Sequence, residues 1–200
     1  AGVFYKNFDA PIEQMLDDKT FNFRNAKNAK SYGVEVEFRK KLDVIPVLKN
    51  FTFQANGAYI YSMVKDTARK LDRPMQGQSP YVVNIGLLYD LEKHGISATL
   101  LYNQIGRRVF VVGNAQGSGA LGGAPDVYER PRPLLDFQVG KKVLKNKAEI
   151  RLNISDILNQ KQYFYQNLYD NNTQLQKNQD AYRFTRRYGT TFSISFNYSL

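Results

Sequence analysis

The side chains that could do chemistry are few, and most lack the company that chemistry needs. Glu35 and Glu37 lie two apart, with Arg39 two further on. Two carboxylates on one strand face have the reach for glycoside hydrolysis, which sets an acid and a base or nucleophile about the scissile bond. No further acid–base group accompanies them, so they read as a charged strand face with ion pairing among themselves. Asp9, Asp17 and Asp18 offer hard oxygen ligands but lack the regular spacing of a calcium loop. His94 is the sole histidine, set in the turn sequence Glu92-Lys93-His94-Gly95 without a second ligand nearby. There is no cysteine, which excludes disulfides, thiolate metal sites and a Cys nucleophile. A single histidine leaves no room for His-based metal or triad chemistry. The reading is therefore a non-enzyme, with no catalytic residue, no metal site, no cofactor and an unknown ligand site.

Three further features raise the question of binding. The run Gly113-Asn114-Ala115-Gln116-Gly117-Ser118-Gly119-Ala120-Leu121-Gly122-Gly123 is glycine-rich. It lacks the Lys-Ser/Thr and the following helix of a phosphate-cradling loop, and reads as an exposed loop. Lys and Arg outnumber Asp and Glu by 28 to 18, a net charge of +10 that raises nucleic acid or an anionic surface as a partner. The basic residues are dispersed and no recognition motif appears, so nucleic acid is set aside. Arg107-Arg108 and Arg186-Arg187 are adjacent pairs. On a strand each pair would send one arginine to either face, one among polar side chains and one near an interface.

The elements that must position these residues are strands. Apolar residues make up 42% of the chain and aromatics 14%, which excludes disorder, and no run of eighteen apolar residues offers a membrane helix. Yet mean hydropathy is only −0.49 despite 13 Phe and 14 Tyr. Alternation reconciles the two. Tyr188, Thr190, Phe192, Ile194, Phe196, Tyr198 and Leu200 fall on one face, with Gly, Thr, Ser and Asn between them. The same period of two predicts strands over Tyr32–Arg39, Phe51–Met63, Tyr81–Asp90, Ile96–Asn103, Leu135–Gly140 and Ala148–Ser155, with a weaker one over Gly2–Ile12. That makes eight strands and no convincing amphipathic helix.

The connections alternate as regularly. Those around 42–50, 91–95 and 142–147 are short, while those around 13–28, 65–78, 113–130 and 168–182 are long and polar. An up-and-down meander then gathers short turns at one end and long loops at the other, as in outer-membrane barrels. Strands of about ten residues suit a tilted bilayer crossing. Tyrosines near strand ends (Tyr59, Tyr61, Tyr81, Tyr89, Tyr188 and Tyr198) suit an interfacial girdle. Alternation by itself does not choose between lipid and a packed interior, and a soluble β-barrel binding module stays open.

Several segments resemble the C-terminal part of the barrel of a TonB-dependent outer-membrane receptor of the Bacteroidetes type. They are Phe4 through Glu13, Ser31-Tyr32-Gly33-Val34-Glu35-Val36-Glu37, Arg73-Pro74-Met75-Gln76-Gly77-Gln78-Ser79-Pro80-Tyr81, Asn153-Ile154-Ser155-Asp156-Ile157-Leu158-Asn159-Gln160, and Tyr188 through Phe196. They occur in the family's order along nearly the whole chain. The resemblance implies an all-β, antiparallel up-and-down transmembrane β-barrel, with 1–200 supplying about eight of some twenty-two strands. No plug domain or TonB box is recognised in 1–200. It further implies a bacterial outer-membrane location with a periplasmic C-terminus and uptake of a scarce nutrient. The implied partners are outer-membrane lipid and lipopolysaccharide, the plug and remaining strands of the receptor, TonB through the plug region, and an unknown small ligand. The long loops would be extracellular, and the sequons at Asn153, Asn171 and Asn197 would carry no meaning there. A stand-alone eight-stranded outer-membrane protein of structural or adhesion type remains the alternative.

Overall fold

The computed structural model describes residues 1–17, 20–66, 71–114, 125–167 and 180–199. In chain order the strands are β1 (Gly2–Asp9), β2 (Ile12–Asp17), β3 (Thr20–Asn25), β4 (Asn28–Lys41), β5 (Phe51–Asp66), β6 (Leu71–Arg73), β7 (Tyr81–Leu91) and β8 (Ile96–Ile105). They continue as β9 (Arg108–Val111), β10 (Val127–Glu129), β11 (Pro133–Val143), β12 (Ala148–Ser155), β13 (Gln162–Gln166), β14 (Ala181–Arg186) and β15 (Thr191–Tyr198). Among the described residues the only helical pieces are single 3₁₀ turns at Pro46–Leu48 and Glu92–His94.

The eight strands expected from alternation form one antiparallel sheet in the order β1-β4-β5-β7-β8-β11-β12-β15, each pairing its sequence neighbours in the meander, and short β6 joins it as a ninth strand beside the end of β5. The sheet is open, with β1 and β15 at its edges. Its register joins the separate periodicities into two continuous faces. Asn56 stands opposite Asn84, Asn84 opposite Asn103, Gln138 opposite Asn153, and Asn153 opposite Ser193. The other face runs Phe53–Leu87–Leu100–Phe137–Ile154–Phe192 straight across six strands.

That apolar face is uncovered. Val3 is 83% exposed, Ile194 76%, Phe192 67% and Tyr59 65%. A continuous exposed apolar surface of this extent belongs against another apolar phase. Its height fits a bilayer. Phe51 to Tyr61 on β5 is about 33 Å along the strand at ~3.3 Å per residue, and a tilt of roughly 40° lowers this to ~25 Å, the height of a membrane barrel's apolar band. Tyrosines border the band: Tyr5, Tyr32 and Tyr61 are direct register partners across β1, β4 and β5. On β7, Tyr81 and Tyr89 bracket Val83, Ile85 and Leu87.

The buried core lies elsewhere. The long connections, expected as polar loops, carry strands of their own. β9, β10, β13 and β14 make a four-stranded sheet, and β2–β3 is a hairpin docked on it. Leu16, Val111, Val127 and Phe164 form its centre, with Phe110 and Phe184 packed against them, and Val109, Val112, Tyr128 and Tyr165 make a second cluster. These segments are three to six residues long, too short for a period of two to stand out. Their pairings also join residues far apart in the chain, as where β10 pairs β13. Expected loop positions at 18–19, 67–70, 115–124 and 168–179 lie outside the described residues.

Candidate functional site

Two surfaces could meet a ligand: the polar face of the wall and the cap sheet at the long-loop end. On the polar face an amide ladder crosses three strands. Asn103 Nδ2 donates to Asn84 Oδ1, and Asn84 Nδ2 donates to Asn56 Oδ1 at 3.1 Å. Each asparagine serves its neighbour, the pattern that satisfies amides on a wet wall. Gln54 lies flat beside the ladder because its register partner Gly86 has no side chain; a Cβ there would sit 2.7 Å from Gln54 Cγ. A recess of about 310 Å³ opens here, lined by Glu37, Gln54, Asn56, Asn84, Asn103 and Asp136 among others. Ala55, Ile85, Leu101 and Tyr102 complete the lining, so the recess sets two carboxylates and several amides beside apolar surface and suits a group with both polar and apolar parts.

Glu35, Glu37 and Arg39 share this face, as the alternation indicated, but the expected ion pairing is not formed. Their register partners on β5 are Ala58, Asn56 and Gln54, none charged, and all three side chains are exposed. The other carboxylate of the recess, Asp136, accepts from the Asp156 backbone N, a structural tie, and the glycoside reading gains nothing.

The cap is held by residues of the Arg73–Tyr81 segment. The Arg73 guanidinium meets the Glu13 carboxylate at 2.5 Å, with side chains only 3% and 4% exposed. Glu13 Oε1 is buried without a hydrogen-bond partner, so the pair depends on Arg73. Gln76 fills the gap between two strand edges. Its Nε2 donates to Gln14 O (3.1 Å) and Phe110 O (2.8 Å), and its Oε1 accepts from Gln14 N at 2.7 Å. Beside it, Leu16 N donates to Val112 O and Gly77 N to Val109 O, both at 2.8 Å. One glutamine side chain thus extends the backbone ladder from the hairpin to the cap sheet.

The Asn153–Gln160 segment makes the second tie. Asp156, in the left-handed conformation (φ 54°), receives Arg132 on Oδ2 at 2.6 Å. Its backbone N donates to Asp136 Oδ1 at 2.8 Å, and its carbonyl accepts from Thr190 Oγ1. This fixes where the chain leaves the wall after β12 and where it returns before β15.

The arginine pairs sit in and beside the cap, not on the wall, which corrects the expected split between polar and outward faces. Arg108 pairs with Glu129 at 2.7 Å and Arg107 lies over the Tyr128 ring at 5.2 Å. Arg186 covers Phe110, Phe164 and Phe184 at 5.0–5.5 Å from the ring centroids, a cation–π arrangement. Arg187 donates to Asn159 O. Buried Tyr165 has its phenol pushed above the ordinary value by desolvation, an effect the neighbouring Arg107 guanidinium opposes. A second recess of about 240 Å³ lies between Leu16, Phe21, Phe110, Val111, Phe184 and Arg183.

The remaining candidates stay apart. Asp9 ends β1 opposite Asn28 and Asp17 stands opposite Thr20. Asp18 lies outside the described residues, as do residues 115–123 of the glycine-rich run. Gly113 N donates to buried Asp126 Oδ1. His94 is exposed in its turn and gives only its carbonyl, to Lys141 Nζ. No group of three or more Asp, Glu or His side chains suited to a metal occurs among the described residues. Asn153 and Asn197 stand on the polar face, while Asn171 lies outside the described residues. Glu13, Gln76 and Arg132 went unread as tertiary ties, because only their distant partners give them that role.

An eight-stranded meander with one uncovered apolar face, one amide-lined face and all its short turns at one end is the wall of a transmembrane β-barrel. The chain belongs to the outer membrane protein beta-barrel family, whose sequence profile matches residues 6–198. No curated protein matches it in sequence. Among solved structures it is similar to the copper transporter OprC (TM-score 0.63, 13% identity, 99% of this chain and 28% of that one). It is also similar to the unliganded ferric citrate transporter FecA (TM-score 0.59, 13% identity, 86% of this chain and 24% of that one). At this identity the likeness concerns the fold. The chain spans about a quarter of the length of these transporters.

Proposed function

We propose that residues 1–200 are the C-terminal wall section of a TonB-dependent nutrient transporter, with the cap extracellular and the short turns and C-terminus periplasmic. The observation that carries this is the cap: the long connections of the wall fold into a packed four-stranded sheet with a docked hairpin at one end of the amide-lined wall. A wall alone would serve an anchor; an ordered cap over a polar lumen serves capture and passage. The open edges of β1 and β15 support the larger barrel, since unpaired backbone groups in lipid cost several kcal/mol each. The rest of the receptor supplies the missing neighbours, the plug and the TonB contact. The cap's arginines and aromatics would meet lipopolysaccharide and the incoming ligand.

The test is surface labelling of intact cells with a membrane-impermeant maleimide. A cysteine replacing exposed Asn22 on β3 should label, and one replacing Lys93 in the β7–β8 turn should label only after the envelope is opened. Labelling at position 93 but not 22 would invert the topology. Deleting the parent gene and restoring it with a variant lacking residues 12–25 should abolish growth on the limiting nutrient while the barrel still assembles. Growth unchanged by that deletion would refute the capture role.

A further inference from the structure

The two ends of the wall hold positive charge differently, although exposed Lys27 and Lys30 also lie at the cap end. At the cap end the cations described above are arginines engaged with carboxylates or rings: Arg73 with Glu13, Arg108 with Glu129, Arg132 with Asp156, Arg186 over three phenylalanines. At the short-turn end lysines predominate, with Arg39 exposed beside Lys40 and Arg151 held by Glu149. Lys40, Lys41 and Lys49 flank the first turn and Lys93 stands in the second. Lys141, Lys142, Lys145 and Lys147 surround the third. All eight are exposed and none forms an ion pair among the described residues. The acids at this end are fewer, Asp43, Asp90, Glu92 and Glu149, and Glu149 is held by Arg151 at 2.9 Å.

The turns are joined into a rim. Lys142 N donates to Gly95 O at 2.7 Å, Lys141 Nζ reaches His94 O, and Asp90 N donates to Asn50 O at 2.9 Å. The same rim exposes large apolar side chains: Val47 is 86% exposed, Val44 76% and Leu144 61%. Lys40 and Lys141 point to the apolar side of the sheet, where their register partners are Phe53, Ile96 and Ile150.

We infer that this rim is a binding site for anionic glycerophospholipid headgroups. Apolar side chains beside ammonium groups free of ion pairs, at the margin of a lipid-facing band, match the boundary between acyl chains and phosphates. The lysine stems lie along apolar surface and carry their charge to phosphate level. Val44, Val47 and Leu144 enter the acyl region below it, and the surplus of lysine draws anionic lipid from the leaflet. An acidic protein partner would satisfy the lysines but leave these valines and Leu144 without a matching phase. The inference rests on the proposed orientation only in naming the periplasmic leaflet; headgroup binding itself does not depend on it.

Native mass spectrometry of the intact outer-membrane protein in detergent, titrated separately with phosphatidylglycerol, phosphatidylcholine and lipopolysaccharide, tests it without any leaflet. Phosphatidylglycerol should be retained at least fivefold better than phosphatidylcholine. The variant K141Q/K142Q/K145Q/K147Q should lose most of that preference, while the corresponding four-arginine variant keeps it. K27Q/K30Q, at the cap end, should leave it unchanged. K49Q/K93Q, in turns alone, should reduce it in part and guards against a folding defect in the quadruple variant. Equal retention of the two phospholipids, equal loss in K27Q/K30Q, or a rim that discriminates for lipopolysaccharide over phosphatidylglycerol would overturn the inference. Because labelling at positions 22 and 93 reads orientation separately, failure of one result leaves the other standing.

Discussion

Ile85→Arg probes the assignment of faces most directly. Ile85 lies four residues from each of Tyr81 and Tyr89, the aromatic limits of the apolar band on β7. It stands opposite Ala55 and Tyr102, and its side chain is 38% exposed. A position midway between the girdles is near the bilayer centre, where an arginine on the lipid face costs roughly 2–4 kcal/mol. That corresponds to a folded-to-unfolded ratio lowered roughly 30- to 700-fold at 1.4 kcal/mol per decade. The comparison is Ser193→Arg on β15, on the amide-lined face opposite Asn153, where water meets the guanidinium and only the 3.2 Å Asn153–Ser193 hydrogen bond is lost. Its cost should stay near 1 kcal/mol, the net worth of one exposed hydrogen bond. The assay is equilibrium refolding of the intact protein into lipid vesicles across a urea series, scored by heat-modifiable gel migration. Equal costs, or Ser193→Arg the worse of the two, would show that the uncovered apolar face does not meet lipid.

Arg73→Met leaves the buried Glu13 carboxylate unpaired and should destabilise the β2–β3 hairpin by about 3–5 kcal/mol. Hydrogen exchange at the Leu16 amide reads this, and adding Glu13→Leu should restore much of the protection. Gln76→Ala removes three side-chain hydrogen bonds to Gln14 and Phe110; at about 1 kcal/mol each it should raise exchange at Leu16 and Val112 without changing barrel migration. Gly33→Ala would place a Cβ 2.3 Å from Tyr59 O and 2.9 Å from the Phe4 ring, so β1, β4 and β5 must shift, at a cost of about 1–3 kcal/mol or more in refolding. Tyr165, whose phenol is pushed up by burial, binds its proton more tightly in the folded cap than in the unfolded chain. Cap stability should therefore be complete below the ordinary tyrosine pKa of about 10 and decline as pH rises through the folded value. Tyr165→Phe should flatten that decline in a protease-sensitivity profile.

The alternation of residues determined the wall. Period two is set by backbone geometry, so Phe51, Phe53, Ala55 and Tyr59 had to share a face wherever β5 was placed. Three antiparallel pairs followed from the short connections, which permit only antiparallel neighbours, while the meander across the four long connections was an expectation that the strand order bears out. Register was out of reach: that Asn56, Asn84 and Asn103 stand in one row depends on how far each strand slides on the next, which local sequence does not encode. The cap lay further off still. Its strands are brief, and Phe110, Phe164 and Phe184 come together from segments up to seventy-four residues apart. Gln76 reads as an ordinary loop glutamine until Gln14 and Phe110 arrive on either side of it, and Glu13 reads as solvated until Arg73 closes over it. Charge shows the same division: the sequence sets the total of +10, whereas the tertiary fold engages Arg73, Arg108, Arg132 and Arg186 within the cap and gathers eight exposed lysines, none in an ion pair, on the rim. Planar guanidinium stacks and forks within a packed sheet, while the compact ammonium keeps its hydration and stays at the boundary with water.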